Sequence, residues 1–258
     1  YSFINITGLA IGMGAAILFL LWIQNELSID RFYEKSDRIY MMYNRDKSPE
    51  GETWAWNNTP KVMAPTLKSD YPEVEEAVRY RNVTFLLTVG DKKLNNRGSF
   101  ADSNFLKVIS FPLLKGDPKT ALNDGHSIVL TQQLAKALFG NEDAMGKTVR
   151  IDSTHNCTVT GILKDLPNNT KFEFAYILPW VYLEKIGWSD DSWGNNSVRT
   201  YVLLKEGASQ ATFDKKVKNI TIDHTKTSAT PSTIEVFTHP LSEVYLYGQS
   251  ENGKLVGG

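Results

Sequence analysis

No charged residue occurs in the first 25 positions, and residues 4–23 are dominated by Ile, Leu, Ala, Gly, Met and Phe. Wound as a helix at about 1.5 Å per residue, that stretch is about 30 Å long, the thickness of a bilayer's hydrocarbon core. The pattern predicts a membrane-spanning helix over residues 1–27. Within it Gly8, Gly12 and Ala16 recur every four residues, which lays one smooth face along the helix where a second helix can approach closely. Trp22 falls at the end of the span, where an amphipathic ring suits the headgroup layer. The flank that follows, from Glu26 through Asp30, Arg31, Glu34, Lys35 and Asp37 to Arg38, mixes both signs and lacks the Lys/Arg excess of a cytoplasmic loop. It points to an extracytoplasmic body.

Beyond the span the periods alternate between about 3.6 and 2. Ile29, Phe32 and Tyr33 keep a helical spacing and predict that the first helix continues as a stalk. Residues 38–44 read as a strand. Thr59 followed by Pro60 predicts a helix start, with Thr59 as the cap and Pro60 in the first turn, and Tyr71-Pro72 stops that helix. Residues 74–87 look extended. Residues 127–131 carry a buried-strand pattern, and Thr131 caps an amphipathic helix that Gly140 ends. Strands are predicted over 149–151, 158–163, 172–178, 199–204 and 233–237, with a helix over 210–219. Two strand-helix-strand groups flanking an insert define an α+β fold.

Composition narrows the function. A formal net charge of −1 supplies no basic field for phosphate neutralisation, so nucleic acid is not an expected partner. One cysteine, Cys157, rules out an internal disulfide, and its strand context gives it the part of a small buried hydrophobe. Gly140 to Gly146-Lys147-Thr148 has one residue too many for a phosphate-binding loop and follows a helix instead of a strand. His126, His155, His224 and His239 lack any metal-ligand spacing, and Glu75-Glu76 and Asp190-Asp191 read as solvated turns or helix starts. Trp54, Trp56, Trp180, Trp188 and Trp193 suit either core packing or an apolar surface. No catalytic, cofactor-binding or metal-ligating residue is assigned, and no enzyme is expected.

Several short motifs now fall into order. Asn5-Ile-Thr-Gly-Leu-Ala-Ile-Gly12 precedes Trp22-Ile-Gln-Asn-Glu-Leu-Ser-Ile-Asp-Arg-Phe32. Phe100-Ala-Asp-Ser-Asn-Phe105 and Phe111-Pro-Leu-Leu-Lys-Gly116 come next, followed by Leu130-Thr-Gln-Gln-Leu-Ala-Lys136, Leu138-Phe-Gly140 and Gly146-Lys147. Val159-Thr-Gly161, Leu166-Pro167 and Leu241-Ser-Glu-Val-Tyr-Leu246 complete the series. Together they resemble the MacB-like periplasmic core domain of FtsX-superfamily ABC transporter permeases, over nearly the whole chain.

The resemblance implies a membrane helix (1–27), a porter-like lobe in two parts (28–94 with the stalk, and 167–258 with the start of a second stalk) and an inserted sabre-like lobe (95–166). It implies a bacterial inner-membrane location with the soluble part on the periplasmic side, and three further membrane helices beyond this chain, which itself begins without an initiator Met. Its implied partners are an ABC ATPase subunit, a second permease copy or a paired permease, and a periplasmic adaptor or outer-membrane protein. The implied role is to couple ATP hydrolysis in a separate subunit to export or mechanotransmission. A ligand-sensing receptor ectodomain is the alternative with the same layout.

Overall fold

In the computed structural model, which describes residues 2–257 and side chains from residue 5, α1 (Ser2–Leu27) is one unbroken helix. Its apolar length from Asn5 to Leu27 is long enough to cross a membrane, and none of it is buried in the isolated chain. Tyr1 and Gly258, the ends of the expected helix and of the last expected segment, lie outside the described residues. The expected stalk is not found. The helix stops at Leu27, and Asp30 adopts a left-handed φ of 56° that turns the chain away from the axis. Ile29 and Tyr33 are buried in the soluble body, which explains why their spacing mimics one more helical turn.

The remaining elements follow in chain order. β1 (Ile39–Lys47), β2 (Thr53–Trp56), β3 (Thr59–Pro60), α2 (Met63–Asp70), β4 (Val74–Val89) and β5 (Lys92–Ala101) come first. After them stand α3 (Phe105–Val108), β6 (Leu113–Lys115), β7 (Ser127–Thr131), α4 (Gln132–Phe139), β8 (Thr148–Ile151) and β9 (His155–Leu163). The chain ends with β10 (Tyr176–Pro179), α5 (Trp180–Lys185), β11 (Asn196–Leu204), α6 (Gln210–Val217), α7 (Ile220–Thr225), β12 (Glu235–Pro240), a 3-10 turn (Leu241–Glu243) and the hairpin β13 (Gln249–Glu251) and β14 (Lys254–Val256).

Twelve strands join in one sheet, in the order β12-β1-β11-β4-β5-β10-β7-β9-β6, with β2 on β1, β3 on β11, and β8 bridging β4 and β9. The bridge closes a ring. β4 pairs β5, β5 pairs β10, β10 pairs β7, β7 pairs β9, β9 pairs β8, and β8 returns to β4 at Leu87↔Ile151 and Thr88↔Arg150. Inward positions along these strands (Phe85, Leu87, Phe100, Leu130, Val149, Cys157, Val159, Tyr176) fill the ring, as alternation in a closed sheet requires. β5 begins before the expected boundary at 95 and β10 comes after the one at 167, and both belong to the ring.

The other half of the sheet is open and has two covered faces. Met42, Val202, Leu204 and Val236 pack under Met63 and Leu67 of α2, Phe213 and Val217 of α6, and Ile220 of α7. On the opposite face Ile39, Met41, Tyr43, Val78, Tyr80, Tyr201 and Leu203 meet Phe105, Ile109, Phe111, Phe172 and Phe174. Tyr80 stacks on Phe105 at 5.3 Å and receives Phe172 edge-on at 5.3 Å, contacts each worth about 0.5–1.5 kcal/mol beyond area burial.

Some local signals hold and others are overridden. The Thr131 hydroxyl accepts from the Leu134 amide and caps α4, worth about 1 kcal/mol, and Gly140 (φ 68°) ends it as expected. Thr59 does not cap a helix. Its hydroxyl bonds Val198 O at 3.1 Å and Thr200 Oγ1 at 2.8 Å inside the β3–β11 pairing, and α2 starts four residues later. Of the strand expected over 172–178, only the end pairs, because the chain before Tyr176 is bent around Asp30.

Candidate functional site at the helix–sheet junction

The turn after α1 is the most heavily bonded segment that connects the apolar helix to the body. The Ser28 hydroxyl donates to Asn25 O at 2.7 Å and accepts from Asn169 Nδ2 at 3.0 Å. The Asp30 amide donates to Asn169 O at 3.0 Å. The Asp30 carboxylate is fully buried and accepts from Thr170 Oγ1 at 2.6 Å, Tyr33 OH at 3.2 Å and the Lys171 amide at 3.2 Å to each oxygen. Burial pushes its carboxyl above the usual carboxylate range, against the pull of those donors. Tyr33, whose phenol is raised by the same burial and by the Asp30 charge, sets its ring edge-on to Phe111 at 5.5 Å and Phe172 at 6.1 Å. The end of α1 is thereby fixed to residues 169–172, the segment that leads into β10 between β5 and β7.

Beside this junction lies a cleft of about 900 Å³. Trp22, Ile23, Glu26 and Leu27 of α1 form one wall, and Val244, Tyr245, Leu246 and Gln249 another. Its floor is formed by Tyr43 of β1, Arg199 and Tyr201 of β11, Asn82 of β4 and Arg97 of β5. Arg97 pairs with Glu173, the Lys171 ammonium sits 4.3 Å above the Tyr245 ring, and Glu26 faces the Tyr245 hydroxyl. Among the described residues no carboxylate lies within 4 Å of Arg199. A smaller pocket of about 180 Å³ adjoins it and shares Asn82 and Arg199.

The residues singled out in the sequence are scattered. A Cβ added at Gly8 or Gly12 would meet nothing within 4 Å, and Ala16 is exposed on the same helix, so no other described segment packs on that stripe. Trp22 alone of these reaches the cleft. Cys157 is buried in the ring, its thiol pushed up to about 11 by desolvation. His126 contacts Asp124, His155 sits on Thr154 and Tyr182, His224 stacks on Trp193 at 4.2 Å, and His239 meets Tyr43. Among the described residues no three His, Cys, Asp or Glu side chains stand together as a metal site. Trp180 lies under Arg79 at 4.1 Å and Trp188 under Arg81 at 5.1 Å, away from the cleft. Lys147 pairs with Glu142 at the glycine turn, an ordinary surface ion pair.

A helix of membrane length fixed to a ring-and-sheet α+β body suits a domain that stands at a membrane surface. The sequence profile of the MacB-like periplasmic core domain matches residues 2–220, and the chain belongs to that family of ABC-type permease domains. The fold is similar to a domain of a putative permease from Porphyromonas gingivalis, with TM-score 0.70 and 23% identity over 81% of this chain and 91% of that one. It is also similar to the periplasmic region of MacB from Actinobacillus actinomycetemcomitans (TM-score 0.57, 14% identity, 79% and 90% covered). The extracellular domain of the noncanonic ABC-type transporter YknZ from Gram-positive bacteria gives TM-score 0.54 and 15% identity, with 77% and 99% covered. No curated protein sequence matches it.

Proposed function

We propose that this chain transmits ATP-driven movement of membrane helices to an extracytoplasmic body, for export or for mechanical work across the envelope. In this reading α1 anchors it in the bacterial inner membrane, a separate ABC ATPase supplies the stroke, and a second permease copy or a paired permease completes the assembly. The ring and the strands around it correspond to the outer lobe, where a periplasmic adaptor or outer-membrane protein docks, and the helix-covered half of the sheet corresponds to the porter-like lobe.

The observation that carries the reading is the Asp30 junction. Displacement of a helix is transmitted only if its end is fixed to the body, and coupling between distant sites needs a contiguous, stiff connection. Asp30, Tyr33 and Thr170 provide one between α1 and the segment entering β10. The test is Asp30→Ala in the full assembly, after checking that it folds and assembles. Basal ATP hydrolysis should stay within about twofold, a barrier change under about 0.5 kcal/mol, while transport falls at least about tenfold. Transport at the normal level would remove the junction from the coupling path.

A further inference from the structure

We propose that the cleft beside α1 holds one anionic phospholipid of the surrounding leaflet, its phosphate on Arg199 and its proximal acyl carbons along Trp22, Ile23 and Leu27. The inference rests on α1 lying in the membrane, and not on the coupling role.

The polar end of the cleft has a cation without a counter-charge and buried hydroxyls without partners. Arg199 is half-buried on β11, where it donates to the Tyr201 phenol and its charge bears on Tyr43 and Tyr80, but no carboxylate neutralises it. In the adjoining pocket the buried Tyr80 hydroxyl and Ser197 Oγ have no hydrogen-bond partner, and Tyr80 is only 1% exposed. Buried polar atoms are rarely left so, and a guanidinium beside hydroxyl and amide groups is a fitting seat for a phosphate. The acidic residues of the cleft do not compete for it. Glu173 is held by Arg97, Glu26 faces Tyr245, and the Asp30 carboxylate is enclosed by its own donors.

The other end is apolar and belongs to the membrane helix. Ile23 and Leu27 continue the lipid-facing surface of α1 into the cleft, and Leu246 and Val244 face them across it. Trp22 marks the headgroup level, so an acyl chain enters from the bilayer without crossing water. A soluble anion would use only Arg199 and its neighbours and leave the apolar walls wet.

Native mass spectrometry of the chain in detergent micelles, titrated separately with dioleoylphosphatidylglycerol and dioleoylphosphatidylcholine, reads the site directly. One phosphatidylglycerol should be retained at least about tenfold more tightly than phosphatidylcholine, the scale of one charge-assisted contact. Arg199→Gln should abolish the preference and Arg199→Lys should keep part of it. Should Arg199→Gln unfold, Asn57→Asp, which sets a negative charge in the cleft lining, serves instead and should weaken phosphatidylglycerol binding by a similar factor. Equal retention of the two lipids, or an unchanged preference in these variants, overturns the proposal. Glycerol phosphate competing as strongly as the intact lipid would also overturn it, by showing a site for a soluble anion. Resistance of the chain to alkaline extraction from vesicles checks the membrane placement independently.

Discussion

Asp30 and Thr170, 140 positions apart in the chain, share a hydrogen bond of 2.6 Å inside the body of the protein. Neither would order the other alone. The bond forms because Asp30 turns the chain after α1 in a left-handed conformation, while residues 169–172 bring an amide and a hydroxyl to the same point.

That carboxyl titrates in a direction opposite to the surface carboxylates. Its folded pKa lies above the unfolded value near 3.8, so its contribution favours folding most below that pH and is lost as pH rises through the folded value. Asp30→Asn keeps the shape, tolerates the left-handed backbone and cannot titrate. The stability of the native chain relative to Asp30→Asn should therefore fall as pH rises from about 4 towards 7, measured by urea denaturation at each pH. A flat difference would mean that the carboxyl titrates normally. Asp30→Ala, which removes the acceptor shared by Thr170, Tyr33 and the Lys171 amide and leaves only the Tyr33–Thr170 hydroxyl pair, should cost about 2–3 kcal/mol at neutral pH.

Gly98 is the second sensitive point. The Tyr176 ring lies against it, a Cβ there would fall 2.2 Å from the ring, and the Tyr176 hydroxyl accepts the Phe85 amide at 3.0 Å across the strands. Gly98→Ala must displace a fully buried tyrosine from the ring's centre. A loss of about 2–4 kcal/mol is expected, seen as a lower denaturation midpoint, whereas Gly51→Ala, at an open turn, should cost only its backbone strain.

Cys157, buried with a raised thiol, should react with maleimide in the native chain orders of magnitude more slowly than a free thiol and at normal speed in denaturant. Cys157→Ala should leave transport intact at a cost of about 1–3 kcal/mol. Fast native labelling would place the thiol at an opening the fold does not show.

For the membrane helix, Gly8→Leu with Gly12→Leu should leave the thermal stability of the isolated chain unchanged, since an added side chain meets nothing within 4 Å. If the stripe is a helix contact in the permease, the same pair should reduce assembly, read by co-purification of the partner subunits. Normal assembly would return the glycines to the lipid face.

The elements that could be read in advance were those specified locally. α1 announces itself by 25 uncharged positions, α4 by Thr131 and Gly140, and β7, β9 and β11 by their apolar runs. Thr59-Pro60 misled because a hydroxyl that suits a helix cap suits a buried sheet contact equally well, and only Val198 and Thr200, far along the chain, decide between them. Closure of the ring by β8 was invisible for the same reason. The junction was the hardest to see: Asp30 stands in a run of mixed charges that looks solvated, and its burial depends on partners some 140 residues downstream. Arg199 likewise reads as one polar residue in an apolar strand until the lack of a neighbouring carboxylate among the described residues is seen in space.

The order of the strands also sets a timetable for synthesis. β1 follows α1 closely and meets β2 only at its far end, from Asn44 to Lys47; along its apolar part its neighbours are β11, with Ile39 opposite Leu203, and β12, with Met41 opposite His239. At about 5–20 residues per second, roughly 8–30 s pass before β11 or β12 has been made. Throughout that interval the apolar run Ile39-Tyr-Met-Met-Tyr43 has both edges open, the condition under which strands pair with the wrong chain. A strand left open for that long is exposed to mispairing with other chains while the rest of the body is still being made.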